Sequence, residues 1–232
     1  MGASKRTQMA SFSDDWPDEI WTTVNGINGG KGAAWKLAVA VLAVTGCRPS
    51  ALERGVTFSL VRDGPKSFIE ATIPGVKLTS TRGQPEHRIR WATESDTHRP
   101  NELLALAKAA MAAPGRTLKV TYDAEAISTR LREVSRTLWP RRKNQITAYC
   151  YRHLLSATAK AAGADPAELA AAMGHRSTES QGAYARARRA KTGSRKPWAS
   201  VSASVPVRQD RGFVARFKAS ASLKRKRERG LG

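Results

Sequence analysis

Three short segments of this chain carry residues whose types and spacing could act on a phosphate ester. They are TGCRPSALE (45–53), YCYRHLLSATA (149–159) and MGHRSTESQGAYAR (173–186). A guanidinium is planar, permanently charged and offers paired donors to phosphate oxygens, so Arg48 and Arg152 are candidates for binding an anion. The hydroxyl of Tyr184 can act as a nucleophile once its proton is removed. Together these residue types suit nucleophilic attack on phosphorus.

Each segment also has an ordinary structural explanation when it is taken alone. Arg48 could be a surface arginine close to the end of a helix dipole. Residues 149–159 have the pattern of an amphipathic helix, with Tyr149 packed at the edge of its apolar face. A single tyrosine such as Tyr184 is usually structural. The chemical interpretation therefore depends on the three segments taken together.

The elements that must position these residues can be predicted from the local composition. Residues 33–45 predict a buried helix, since they are rich in Ala, Leu and Val and are followed by a glycine. Between Val56 and Trp91, three β-rich runs separated by turn residues predict three antiparallel strands. After Pro100 the pattern is helical again, over NELLALAKAAMAA (101–113), over about 123–138 and from Asp165 onwards. The predicted fold class is α+β, mainly helical with a small three-stranded antiparallel sheet.

The charge is large and unevenly distributed. The chain has 232 residues, with 40 Lys and Arg against 19 Asp and Glu, which gives a net charge of +21. Residues 185–232 hold 15 basic and 2 acidic residues, a net +13, and residues 1–184 hold the remaining 25 minus 17, or +8. Dense positive charge favours a polyanionic partner, first nucleic acid and second an anionic membrane surface.

Composition also indicates the domain organisation. We interpret residues 1–32 as a polar N-terminal segment, 33–189 as the folded domain and 190–232 as a basic tail that is disordered on its own. The tail either is simply solvated or becomes ordered along a phosphate backbone, and its aromatic residues Trp198, Phe213 and Phe217 favour the second alternative slightly.

Several functional classes are excluded by the sequence. Cys47 and Cys150 are too few for a disulfide framework and lack the paired spacing of a zinc site. The longest apolar run, at about 33–44, is interrupted by Lys36 and is too short to span a bilayer, and the polar N-terminus does not have the pattern of a signal peptide. The glycine-rich NGINGGKG (25–32) departs from the spacing of a phosphate-binding loop and is interpreted as a linker. These features predict a cytoplasmic protein.

Together, the three segments resemble the catalytic domain of the tyrosine recombinases, the phage integrase family, in motif, order and spacing. TGCRPSALE resembles the TGxRxxE segment of that family, and YCYRHLLSATA resembles its HxxRH box. GHRSTESQGAY resembles its LGHxSxxTTxxY box and has the same nine-residue step from His175 to Tyr184. The resemblance covers about residues 33–186. It implies an enzyme that breaks and rejoins DNA strands during integration or excision of a mobile element.

The resemblance also implies roles for individual residues. Tyr184 would attack a DNA phosphate to form a 3′-phosphotyrosyl link, while Arg48 and Arg152 neutralise that phosphate and stabilise the transition state. His175 would donate a hydrogen bond to the same phosphate. Lys77, in PGVKLTSTRG, would be the general acid for the leaving 5′ oxygen; Arg82 is a competitor whose very high pKa makes it a poor acid. No metal or other cofactor is implied.

Three departures from the family pattern are visible. Tyr149 stands where the family has a histidine, and as a catalytic candidate it could hydrogen-bond the phosphate or the nucleophile, although a phenol is a weaker base near pH 7. Ala51 stands where the family has an acidic residue. About 30 polar residues precede the first core helix, where family members carry a helical core-binding domain. The implied partners are therefore double-stranded DNA, further copies of the chain in a DNA-bound homo-tetramer, and an accessory protein or separate core-binding chain. Such a protein is expected in the cytoplasm, associated with the nucleoid. The alternative is a catalytically weak or inactive DNA-binding relative that occupies recombination sites without turnover.

Overall fold

The computed structural model describes residues 12–27, 30–93, 98–184, 190, 195–212, 214, 215 and 219. The helices in these ranges are α1 (Trp16–Asn25), α2 (Gly30–Thr45), α3 (Pro49–Arg54), α4 (Pro100–Ala112), α5 (Ala124–Leu138), α6 (Ala148–Ala161) and α7 (Pro166–Ala172). The strands are β1 (Val56–Asp63), β2 (Lys66–Pro74), β3 (Glu86–Ala92), β4 (Thr117–Val120) and β5 (Ser200–Ala203). Two 3-10 segments cover Pro114–Arg116 and Thr178–Ala183. The α+β class and the helices predicted at 33–45, 123–138 and 149–159 are confirmed.

The sheet contains five antiparallel strands in the order β4-β1-β2-β3-β5. The prediction of three strands was therefore wrong, because it missed the two edge strands, β4 and β5. Both edge strands, TLKV and SVSA, alternate polar and small or apolar residues, but over only four residues, which is too short to distinguish a strand from a loop in the sequence. Strand β5 also lies in a serine-rich stretch of the basic tail, where composition favours a flexible chain.

Residues 195–204 dock on the domain, although the sequence predicted disorder over 190–232. Strand β5 pairs with β3, and Trp198 is buried beside it, with 4% of its surface exposed. The indole nitrogen of Trp91 donates a hydrogen bond to the carbonyl of Pro197 at 2.6 Å. Phe213 and Phe217, which also entered that prediction, lie outside the described residues. The burial of one large aromatic side chain explains why a chain with little regular apolar pattern is held here.

Helix α1 lies in the segment predicted to be polar and outside the domain. Trp16, Ile20 and Val24 are buried at a spacing of four residues, so one face of α1 packs on the core. The ring of Trp16 meets that of Tyr151 edge-on, with centroids 4.9 Å apart. The predicted boundary at residue 33 therefore does not separate α1 from the folded domain.

Helix α2 forms the centre of the core and packs against α4 and α6. It ends at Gly46, whose φ of +55° a side chain would strain. A Cβ on Gly46 would also lie 2.8 Å from the side chain of Leu155, so the glycine permits close approach to α6. This contact brings Arg48, which follows at the start of α3, beside the helix that carries Arg152. Within the described ranges, no helix combines the length and apolarity needed to cross a membrane.

Candidate active site

The side chains of Tyr184, Arg152 and His175 meet in one cluster. Arg152 Nε donates a hydrogen bond to the hydroxyl of Tyr184 at 3.0 Å, and His175 Nε2 lies 3.4 Å from the same oxygen. The guanidinium carbon of Arg152 is 5.1 Å from the centroid of the tyrosine ring. The rings of His175 and His153 flank that ring, each with centroids 5.4 Å away. Two of the three sequence segments therefore converge on the Tyr184 hydroxyl.

Arg152 also joins this cluster to the first segment. It lies on α6 with only 1% of its surface exposed. Its Nη1 donates to the carbonyl of Gly46 at 3.0 Å, and its Nη2 donates to the carbonyl of Met173 and contacts His175 Nε2 at 3.0 Å. A buried guanidinium must have its donors satisfied, and here backbone carbonyls, an imidazole and a phenol satisfy them. The orientation of Arg152 is consequently fixed from several sides.

The last segment is positioned by local turns. His175 follows α7, where Gly174 has a φ of +66° and His175 N donates to the carbonyl of Ala170 at 2.8 Å. Ser177 caps the 3-10 segment through Glu179 N, as its position in the sequence predicts. A buried lysine of α6, Lys160, holds the end of that segment through a 2.9 Å hydrogen bond to the carbonyl of Gln181.

Tyr184 opens onto a cleft of about 800 Å³. Its walls carry the cations Arg48, Lys77, Arg82, Arg176 and Arg208, together with His175 and one carboxylate, Glu179. Arg152 is not part of the walls, since it lies behind Tyr184. A concave surface with five cations and one acid is suited to bind an anion of high charge density.

Lys77 reaches the cleft on the loop between β2 and β3. It has a φ of +56°, which is rare for a residue with a side chain and marks a strained backbone held by its surroundings. The tip of the loop is a turn in which Thr79 N donates to the carbonyl of Arg82 at 2.9 Å, and Arg176 ties the turn to the Tyr184 segment through the carbonyl of Ser80 at 2.7 Å. Lys77 and Arg82 both face the cleft, so the choice between them rests on their chemistry.

The electrostatic surroundings lower the pKa values of Tyr184 and His175. Burial raises the pKa of Tyr184, but the charges of Arg152 and Arg48 and the hydrogen bond from Arg152 outweigh it, so the net shift is downward. Burial, followed by the charges of Arg152 and Arg48, lowers the pKa of His175 to about 2. The phenol is thus easier to ionise than a free tyrosine, while the imidazole is neutral at physiological pH.

Tyr149 is not brought to the cleft. It lies in the first turn of α6, with 36% of its surface exposed, and the cleft walls do not include it. The histidine that contacts the ring of Tyr184 is His153, the residue after Arg152. Ala51 is buried in α3 and lines a cavity of about 10 Å³ beside Arg48 and Arg152, which is enough space for about one water molecule.

The sequence did not point to Gln84 or His87. Gln84 is fully buried; its amide nitrogen donates to the carbonyls of His175 at 3.1 Å and Val205 at 2.7 Å, and its oxygen accepts from Val205 N at 2.9 Å. His87, on β3, packs so tightly on Gly174 that a Cβ there would lie 2.9 Å from its ring. Burial, then the charges of Arg152 and Arg48, lowers the pKa of His87 to about 3. Nothing local distinguishes a glutamine in a polar turn, so only the fold identifies Gln84.

Comparisons with known proteins give one structural likeness. No protein-family model matches the sequence, and no curated protein matches it. The fold is similar to that of a solved structure, the crystal structure of XerA recombinase, with a TM-score of 0.48 and 16% sequence identity. The match covers 75% of this chain and 58% of that protein, so the chain spans little more than half its length.

Proposed function

We propose that the chain breaks and rejoins DNA strands through Tyr184, as a site-specific recombinase of the tyrosine type. The observation that carries the proposal is the position of the Tyr184 hydroxyl, 3.0 Å from Arg152 Nε at the back of a cleft lined by five cations. A nucleophile with a lowered pKa beside fixed guanidiniums suits attack on a negatively charged phosphodiester.

The proposed step exchanges one ester bond for another. Tyr184 Oη bonds to phosphorus, the bond from phosphorus to the 5′ oxygen breaks, and a 3′-phosphotyrosyl link remains. The phenolic proton leaves to solvent, which the lowered pKa of Tyr184 favours. Lys77 donates a proton to the 5′ oxygen, since an ammonium gives up a proton far more readily than the Arg82 guanidinium. Reversal by a free 5′ hydroxyl rejoins the strand.

The proposal requires a movement of Tyr184 before attack. Arg152 is almost wholly buried and donates to the tyrosine hydroxyl, whereas Arg48 already faces the cleft. A phosphate entering from the cleft therefore meets Arg48 first. It reaches Arg152 and His175 only when the side chain of Tyr184 moves aside. Arg152 then donates to a phosphate oxygen in place of the tyrosine hydroxyl.

The wider setting is also proposed. Integration or excision of a mobile element needs four strand cleavages, which a homo-tetramer on DNA would supply, with the clamp around DNA completed by an accessory or core-binding chain. The alternative is a DNA-binding protein with little or no turnover at recombination sites. Tyr149 lying off the cleft and the small cavity beside Ala51 favour that alternative, because both mark departures from the family pattern at the site.

A trap for the covalent intermediate separates the two functions. The full chain is incubated with a pool of nicked duplexes of random central sequence, and adducts that survive denaturation are counted on a gel. We expect an adduct that Tyr184→Phe abolishes. Tyr122→Phe, which removes a hydroxyl from a tyrosine packed on Trp35 away from the cleft, should retain it. Binding to the duplexes with no adduct from the unaltered chain would support the DNA-binding alternative.

A further inference from the structure

We propose that Arg208 and Arg176 form a second phosphate-binding site in the cleft, which holds a neighbouring phosphate of the same DNA. The inference rests on DNA as the substrate of the proposed function and adds a contact supplied by the C-terminal segment. Both residues lie in the cleft wall with Tyr184. The ligand is a second phosphodiester of a bound duplex. The phosphate that Tyr184 attacks would be bound by Arg48, so a phosphate at Arg208 and Arg176 is a different one.

The backbone around Arg208 is fastened to the segment that carries Tyr184. Ser177 and Arg208 form an isolated parallel bridge, in which Thr178 N donates to the carbonyl of Arg208 at 3.0 Å and Arg208 N donates to the carbonyl of Arg176 at 2.9 Å. Two residues on, Asp210 N donates to the Thr178 hydroxyl at 2.9 Å. The backbone of Arg208 is therefore fixed against the segment that leads to Tyr184, and its side chain lines the cleft.

The two guanidiniums retain free donors toward the cleft. Arg208 is exposed, and no carboxylate of the described residues lies within ion-pair distance of it. Arg176 uses Nη1 for the carbonyl of Ser80, and its Nε is buried without a partner among the described residues, so a ligand in the cleft would be met by the Nη groups. One bond thus orients the Arg176 guanidinium and leaves other donors for a ligand, which is the arrangement that binds a phosphate with little loss of side-chain entropy.

Charge in the cleft also calls for more than one phosphate. Five cations face one carboxylate, Glu179, which leaves a surplus of four positive charges in a single concave surface. The attacked phosphodiester brings one negative charge and would be bound by Arg48. A second phosphate beside it reduces the remaining repulsion, and counterions released from the DNA add to the affinity.

The test measures noncovalent binding in the Tyr184→Phe background, so that no cleavage interferes. Affinity for a fluorescent DNA duplex is measured at a series of salt concentrations for Arg208→Gln, Arg208→Lys and Arg176→Gln. Each loss of a phosphate contact should lower the slope of log affinity against log salt by about 0.9. Arg208→Lys, which keeps the charge, should retain most of the slope. The matched control is Arg62→Gln, an exposed arginine near the end of β1, where β1 turns into β2 at the opposite end of the sheet from the cleft.

The outcomes separate this inference from the proposed chemistry. A lower slope for Arg208→Gln with an unchanged slope for Arg62→Gln supports the second site, even if the unaltered chain never forms the tyrosyl adduct. An unchanged slope for Arg208→Gln overturns it, even if the adduct forms. An equal fall for Arg208→Gln and Arg62→Gln also overturns it, because the effect would then be one of net charge alone.

Discussion

At the scale of single residues, the pKa values of two tyrosines, Tyr151 and Tyr184, shift in opposite directions although burial raises both. Tyr151 is fully buried, and burial, reinforced by the charge of Glu102, raises its pKa. Tyr184 is also largely buried, but Arg152 and Arg48 lower its pKa against that effect. A cation within hydrogen-bond distance thus decides which tyrosine can become an anion. This contrast gives Tyr184 a property that can be measured without DNA.

We expect Tyr184 to ionise below the ordinary tyrosine pKa of about 10. An ultraviolet titration of the protein, minus the same titration of Tyr184→Phe, isolates the single phenol. The difference should show a transition at lower pH than a free tyrosine, and Arg48→Gln should move it upward because one of the two nearby charges is lost. A difference curve with no transition below pH 10 would show that the guanidiniums do not activate this hydroxyl.

At the scale of secondary-structure elements, one buried amide links three parts of the site. Gln84 follows the loop that carries Lys77 and bonds to the backbone of His175 and of Val205 in the C-terminal segment. The backbone N–H of Gln84 donates a further hydrogen bond to the carbonyl of Gly174 at 3.1 Å. The side chain of Gln84 therefore links the loop that carries Lys77 to the backbone at His175 and to the C-terminal segment at Val205.

Gln84→Leu should destabilise the protein by about 2–4 kcal/mol, because it leaves buried backbone groups of Val205 and His175 without partners. The free energy of unfolding in urea measures this loss. Proteolysis of the native protein should also cut more rapidly within residues 195–212. Gln209→Leu makes the same chemical change at an exposed position of that segment and should have little effect on either readout. Equal stability for both variants would show that the amide is not a structural link.

The helices of the fold could be predicted from the sequence, whereas its edge strands could not. Helix α2 follows from a long apolar run that ends at Gly46, and α7 follows from the capping Asp165, whose carboxylate accepts from two backbone amides. The alternating SVSA of strand β5 is too short to predict a strand, and its position depends on the burial of Trp198 and on pairing with β3. Short elements stabilised by distant partners carry no local signal.

The candidate site likewise contains residues that local sequence predicts and residues that only the fold brings in. Arg152, His175 and Tyr184 belong to motifs with fixed spacing, and the structure brings them together. Tyr149 is a candidate because it occupies the position of the family's histidine, three residues before Arg152, but its exposed position in the first turn of α6 depends on how that helix packs. Arg208 is 24 residues beyond Tyr184 in the sequence. Its place in the cleft depends on the bridge to Ser177, which no local pattern encodes.

At the scale of the whole molecule, the positive charge of the tail falls into two parts with different roles. Among the described residues, 195–204 dock on the domain through β5 and Trp198, and Arg208 lies in the cleft wall. Residues 213–232 hold seven basic residues and one acid, a net +6, in a sequence without a sustained apolar pattern. We therefore expect the first part to affect stability and the second to act through charge.

Two truncations separate these roles. Ending the chain after Gly212 should change the free energy of unfolding by less than about 0.5 kcal/mol. It should lower the salt dependence of duplex binding, because cations that release counterions from DNA are lost. Deleting 195–232 should instead destabilise the domain by roughly 3–5 kcal/mol, since the burial of Trp198 and the Gln84 contacts are removed. If the shorter deletion leaves the salt slope unchanged, residues 213–232 do not contact DNA, and the charge that matters for binding lies in the cleft.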